Sequence, residues 1–206
     1  MIRHGAPHGR GDRVTEAQPF DLFREWYAEA SRSSVVLPNA MGLSTVGADG
    51  APSSRMVLLS SFDRRGFVFH TNYESDKGRQ ISGSRRAALL FWWEPLDRQV
   101  RIEGAVEKTS PEESDAYFSQ RPRGSRIGAW ASDQSRPLSS RETLEARMRG
   151  LEKEFGDGPI PRPPHWGGYR VVPVFFEFWR GGGNRLHDRI RFLVTDSGWE
   201  SVRLYP

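Results

Sequence analysis

The 206-residue sequence predicts an α+β fold that is mainly antiparallel β, a barrel-like sheet with peripheral helices. Three observations carry that prediction. Short β-rich runs recur along the chain, and glycine-bearing hairpin turns such as "ADGAP", "DRRG" and "TDSG" separate them. Helical segments fall between groups of strands instead of alternating with single strands, which argues against a parallel βαβ sheet. No GxGxxG follows a strand, so a dinucleotide-binding Rossmann unit is not indicated.

Residues 1–18 mix glycine, proline and charge without periodicity and read as a flexible arm, leaving 19–206 as a single domain. In "PFDLFREWYAEASRS", Phe20, Phe23, Trp26, Tyr27 and Ala30 recur at helical spacing behind a proline, which predicts a helix with an aromatic inward face. "AMGLSTVGADGAPSSRMVLLSSFDRRGFVFHTN" holds three β-rich runs and reads as an antiparallel meander, with Arg55 heading the middle strand and that strand's apolar residues filling the barrel. "ESDKGRQISGS" reads as helix. "AALLFWWEP" and "RQVRIEGAVEKT" follow as strands joined by a turn at 95–97. Ser110 is placed to cap a helix that opens with Pro111 and two acids. Leu144, Met148, Leu151 and Phe155 recur at intervals of three and four, predicting a helix over 139–155. The tail from Tyr169 returns to strands, with a glycine-rich turn at 181–183 and a hairpin at "TDSG".

Composition narrows the chemistry. There is no cysteine, so disulfides and thiolate metal sites are excluded, and the five histidines lack paired ligand spacing; no metal is expected. Runs such as "AALLFWW" fall far short of the roughly 20 apolar residues that cross a bilayer, and no signal-peptide core opens the chain, so a cytoplasmic protein without a membrane partner is expected. Thirty Lys and Arg against 26 Asp and Glu are spread along the chain, which gives nucleic acid little support. Most of the cations are arginine, the side chain suited to bidentate contact with phosphate or carboxylate, so an anionic small molecule is the better expectation.

Three places combine cations with polarity unusual for a strand or its end. Arg55, with His70, Thr71, Ser75 and Lys77 at a strand end and helix start, offers the parts of a phosphate cradle. Tyr117, Arg121, Arg123, Ser125 and Arg126 crowd a point where a helix gives way to a loop. Arg185, His187 and Arg189 alternate behind a glycine-rich turn, which would project all three from one strand face as a binding wall. No carboxylate pair, Ser-His-Asp order or nucleophile elbow stands out. Arginines, hydroxyls and aromatic planes suit a phosphorylated, ring-bearing molecule whose cofactor carries the chemistry.

The motifs "RMVLLS", "FHTNYESDKGRQI", "RQVRIEGAVEK", "YFSQRPRGSRIGAWASDQS", "WGGYRV", "EFWRGGGNRLHDR" and "VRLYP" resemble those of the pyridoxamine 5′-phosphate oxidase family, in its order and spacing from about Phe20 onward. The resemblance implies an FMN-binding split barrel with peripheral helices, a homodimer with FMN at the subunit interface, and hydride transfer from a small heteroaromatic substrate to FMN and then to dioxygen, giving hydrogen peroxide. It places Arg55, Met56, Val57, Leu58, His70, Thr71, Ser75, Lys77, Gln99, Gln134, Ser135, Trp179 and Arg189 at FMN. It places Ser60, Tyr117, Arg121 and Ser125 at the substrate phosphate, with Arg185 and His187 over the substrate ring as catalytic residues.

Three positions depart from the family pattern. Ser60 stands where the family usually has lysine, His70 where it has tyrosine, and Asp76 where it has a second cation. A lost charge-assisted contact to phosphate costs about ten- to a hundredfold in affinity. The reading therefore leans to a specialised oxidase similar to the phenazine-biosynthesis branch. The alternatives are an ordinary pyridoxamine/pyridoxine 5′-phosphate oxidase that makes pyridoxal 5′-phosphate and, less favoured, a non-catalytic flavin carrier.

Overall fold

The computed structural model describes residues 18–206. The arm expected at 1–18 lies outside the described residues, apart from Gln18 at its end. The described chain forms two compact units, one of residues 18–38, Trp92–Arg101 and Phe175–Pro206, the other of Asn39–Phe91 and Ile102–Val174. Strands β5 (Arg86–Trp93), β6 (Arg98–Lys108) and β7 (Trp166–Arg180) run through both.

The first unit opens with α1 (Pro19–Arg32), where Phe20, Phe23, Trp26 and Ala30 are buried as their spacing predicts, while Tyr27 is half-buried. Aromatic edges hold this helix to the sheet, with Phe20 5.3 Å from Phe176 and Trp26 5.2 Å from Phe178 between ring centroids. β7 pairs antiparallel with β8 (Asp188–Thr195), and β8 with β9 (Gly198–Leu204), the "TDSG" hairpin closing on Gly198 at φ 111°.

In the second unit β1 (Ala40–Val46) pairs with β2 (Pro52–Leu58), and the sheet order is β2-β1-β5-β6-β7-β4-β3. β3 (Ser61–Asp63) and β4 (Gly66–Asn72) form their own hairpin beyond β7, so the three runs are not one meander. β4 is buried on both faces, and it pairs with the buried half of β7 in the interior of the sheet. Two expectations about β2 also change. Arg55 lies in the middle of the strand, and Met56 and Leu58 are 68% and 52% exposed, so they do not fill a core.

The helices of the second unit follow their caps. α2 (Asp76–Ser84) starts at Ser75, whose side chain accepts from the Gly78 amide. A Cβ at Gly78 would sit 2.1 Å from the Tyr73 carbonyl, so only glycine lets this helix start fold back so closely over the β4 end. α3 (Pro111–Gln120) carries a full capping box between Ser110 and Glu113. α4 (Arg123–Ala131) forms where the sequence predicts a loop, because its glycines at 124 and 128 blur the apolar period while Ile127, Ala129 and Ala131 bury. α5 (Arg141–Phe155) packs Met148, Leu151 and Phe155 against a cluster of Phe118, Ile127, Ile160 and Trp166.

Candidate active site

The cradle at the start of α2 is built around a buried cation. Lys77, only 9% exposed, donates from Nζ to Thr71 Oγ1 at 3.2 Å, Ser75 Oγ at 3.1 Å and Gln134 Oε1 at 3.0 Å. All three acceptors are neutral, and no carboxylate pairs with Lys77 among the described residues. Burial holds its ammonium below the ordinary lysine range and nearby Arg55 adds to the effect, while Asp76 opposes it. Arg55 likewise spends its donors on neutral oxygens: Thr45 Oγ1, Ser53 Oγ, Gln80 Oε1 and the Leu43 carbonyl. Two cations that repel each other inside a shell of neutral acceptors favour an anion between them. Asp76 does not spoil this arrangement. Its carboxylate is 59% exposed and ion-paired with Arg79, and it sits in the first helical turn where a negative charge is favourable.

A second cluster surrounds His70 on β4. Its ring stacks on Tyr117 with centroids 3.8 Å apart and planes 5° from parallel, and Trp166 lies 5.3 Å away in nearly the same orientation. Ser60 Oγ and His70 Nδ1 form a 2.9 Å hydrogen bond. Burial, and then the positive charge of Arg121, lower the His70 pKa to about 4, with Glu113 opposing, so the Ser60–His70 pair is neutral near pH 7. The Arg121 guanidinium lies 4.6 Å over the Trp166 ring, and its Nη1 is buried without a hydrogen-bond partner. A buried guanidinium nitrogen without an acceptor is costly, and a phosphate or carboxylate oxygen would satisfy it. Ser125 is exposed on α4.

The third group lies in the other unit. Arg185, His187 and Arg189 do not share a strand face: Asn184 and Arg185 adopt φ of 55° and 63°, and β8 begins only at Asp188. These two left-handed residues, just after the glycines, break the alternation assumed from sequence. Arg185 is exposed on that turn. His187 is held differently, its ring 4.5 Å from Trp179 and its Nδ1 accepting the Gly182 amide at 3.2 Å. In the neutral ring that bond leaves the proton on Nε2, so His187 presents a donor. Gln99 is half-buried on β6 of the same unit, and Ser135, at φ 70°, is exposed in the other.

Sequence reasoning missed Gln80, which fixes Arg55, and Glu177, which fixes Arg189. Gln80 lies one helical turn after Lys77, and Glu177 is a lone carboxylate in the apolar run "VFFEFW". Either could have been flagged as a polar group on an inward face.

A pair of cations hydrogen-bonded only to neutral acceptors, with hydroxyls at a helix start, suits a phosphate, and the aromatic stack near Arg121 suits a flat anionic ligand. Residues 27–153 match the model of the pyridoxamine 5′-phosphate oxidase family, and 166–206 match the pyridoxine 5′-phosphate oxidase C-terminal dimerisation region. The chain is similar to the pyridoxine/pyridoxamine 5′-phosphate oxidase of Bordetella petrii, 59% identical over 92% of this chain and 90% of the relative. A relative of the same name from Rubrobacter xylanophilus is 54% identical over 96% of this chain and 91% of its own. Among solved structures, PhzG from Burkholderia lata 383 in complex with tetrahydrophenazine-1-carboxylic acid superposes with a TM-score of 0.89 at 33% identity, covering 94% of this chain and 95% of PhzG.

The chain belongs to the pyridoxamine 5′-phosphate oxidase family. It is an FMN-dependent oxidoreductase with that family's α+β, mainly antiparallel fold. The cradle fits the cofactor, because Lys77 and Arg55 lack the anion that a phosphate monoester would bring. No helix among the described residues is long and apolar enough to cross a membrane, and no group of metal-ligating side chains occurs among them.

Proposed function

We propose that this enzyme oxidises pyridoxine and pyridoxamine 5′-phosphates to pyridoxal 5′-phosphate, with dioxygen as the final acceptor. The observation that carries the reading is the buried, unpartnered Arg121 Nη1 beside the Tyr117–His70 stack, an anion anchor next to a ring-sized aromatic surface. Relatives at 54–59% identity carry the corresponding name, which outweighs the 33% identity to PhzG.

In this reading Arg55, Thr71, Ser75, Lys77, Gln134 and Ser135 hold the FMN phosphate. Met56, Val57, Leu58, His70, Gln99, Trp179 and Arg189 line the rest of the cofactor, some from the second subunit of a homodimer. Bound FMN supplies the hydride acceptor. Tyr117, Arg121 and Ser125 clamp the substrate phosphate, with Ser60 contributing through its bond to His70. Arg185 and His187 face the substrate ring, His187 donating from Nε2 to a substrate oxygen. For pyridoxine 5′-phosphate the alcohol and dioxygen become the aldehyde and hydrogen peroxide. For pyridoxamine 5′-phosphate a water is also consumed and ammonia released.

The second reading is a reduced heteroaromatic carboxylate as substrate. The neutral Ser60–His70 pair favours it, since it leaves Arg121 as the anchor's charge and suits a monoanion better than a phosphate dianion. Both are tested by giving FMN-loaded protein pyridoxine 5′-phosphate and following peroxide and pyridoxal 5′-phosphate in equal amounts. Flavin reduction by a dihydro-heteroaromatic carboxylate but not by pyridoxine 5′-phosphate would select the second reading.

A further inference from the structure

Glu177 is a carboxylate buried in an apolar strand, 4% exposed, and the assigned site makes no direct use of it. Its Oε1 accepts from Arg189 Nε at 3.0 Å and lies 2.9 Å from Arg189 Nη2, while Oε2 lies 3.5 Å from Arg101 Nη1. Arg189 Nη1 donates to the Tyr205 carbonyl at 3.0 Å. Three of the five guanidinium N–H donors are therefore committed, which fixes the plane of the group and leaves two for a ligand. Glu177 and Trp179 lie two residues apart on β7 and so share a face, and Trp179 opposes Arg189 across the β7–β8 ladder and packs on His187. Gln99 and Arg101 stand in the same relation on β6. One buried carboxylate is thus common to the elements that carry Gln99, Trp179 and Arg189.

We infer that Glu177 is a positioning residue for the flavin ring: it orients Arg189 and sets the net charge that the ring meets there. The inference rests on the assignment of Arg189 to FMN. A reduced flavin carries more negative charge than an oxidised one, so the charge beside it tunes its potential. With Glu177 ionised, Arg189 and Arg101 are partly neutralised. Glu177→Gln keeps an acceptor oxygen for Arg189 and removes the negative charge, so the local field becomes more positive.

The test measures FMN affinity by fluorescence titration and the FMN midpoint potential by spectroelectrochemistry, for wild type, Glu177→Gln, Glu177→Leu and Arg189→Gln, with apoprotein melting as a check on folding. Glu177→Gln is expected to hold FMN within about threefold of wild type and to move the potential positive. Glu177→Leu, which frees the guanidinium, is expected to weaken FMN binding about tenfold or more. A potential unmoved in Glu177→Gln, while Arg189→Gln shifts potential or affinity, overturns the role of Glu177 and keeps Arg189 at the flavin. No effect of Arg189→Gln on either quantity removes Arg189 from the FMN site and overturns both. Should Glu177→Gln melt too low to load, Glu177→Asp keeps the charge and is expected to leave the potential at the wild-type value; a shift there contradicts the charge argument.

Discussion

Two groups of cations, one in each unit, are handled in opposite ways. In the first unit Arg189 is matched by the buried carboxylate of Glu177, and Arg98 on β6 is paired with Glu29 of α1. In the second unit Lys77 is buried and Arg55 and Arg121 are half-buried with only neutral acceptors or an aromatic face as company, whereas Arg170 of the same unit is paired with Glu113 and Asp63. A cation already balanced by a carboxylate serves orientation, because an added anion gains little Coulomb energy there. An unbalanced buried cation is destabilising until an anion arrives, so the free energy of binding is concentrated at those positions. In the proposed assignment the second unit carries the phosphate contacts and the first the contacts to a flat ring.

The largest effect that follows is on the cofactor. Lys77→Met keeps the bulk of the side chain and removes its charge and three hydrogen bonds, so FMN affinity is expected to fall about a hundredfold. A fluorescence titration checks this, and a change below threefold would mean that the cradle holds something else. Next is Arg121→Gln, expected to raise KM for pyridoxine 5′-phosphate about ten- to a hundredfold while FMN affinity stays put. A matched loss of FMN binding would show that the two anion sites are not separate.

Smaller again is Ser60→Lys, which places a second cation beside His70 and is expected to tighten binding of pyridoxine 5′-phosphate by about tenfold. No gain would favour the carboxylate reading. The smallest effect is on stability. His70 has a folded pKa of about 4, below its ordinary 6.5, so between those values the unfolded chain takes up a proton that the folded chain refuses. Stability from this group is complete above about pH 6.5 and is lost as pH falls toward about 4. Melting of wild type and His70→Gln across that range should show a shallower pH slope in the variant.

How much of this was legible in sequence differs between the two units as well. Ser110 as a helix cap, the aromatic face of α1 and the "TDSG" hairpin all follow from local chemistry and came through intact. Lys77 with Thr71 and Ser75 was also visible, because one turn between strand and helix brings them together. The wall of Arg185, His187 and Arg189 was misread, since alternation alone does not reveal two residues at positive φ that end the pattern before β8 begins. The partnerships of Arg55 with Gln80 and of Arg189 with Glu177 depend on strand register and helix placement, which a linear pattern does not encode.

Arg121 is the proposed anchor for an anionic substrate. The most direct measurement is kcat/KM for pyridoxine 5′-phosphate and for pyridoxine in the same FMN-loaded protein, with Arg121→Gln alongside. The expected result is a preference for the phosphorylated compound of about a hundredfold that largely disappears in the variant. Equal values for the two compounds in the wild-type protein, or a preference that survives the loss of Arg121, would contradict it.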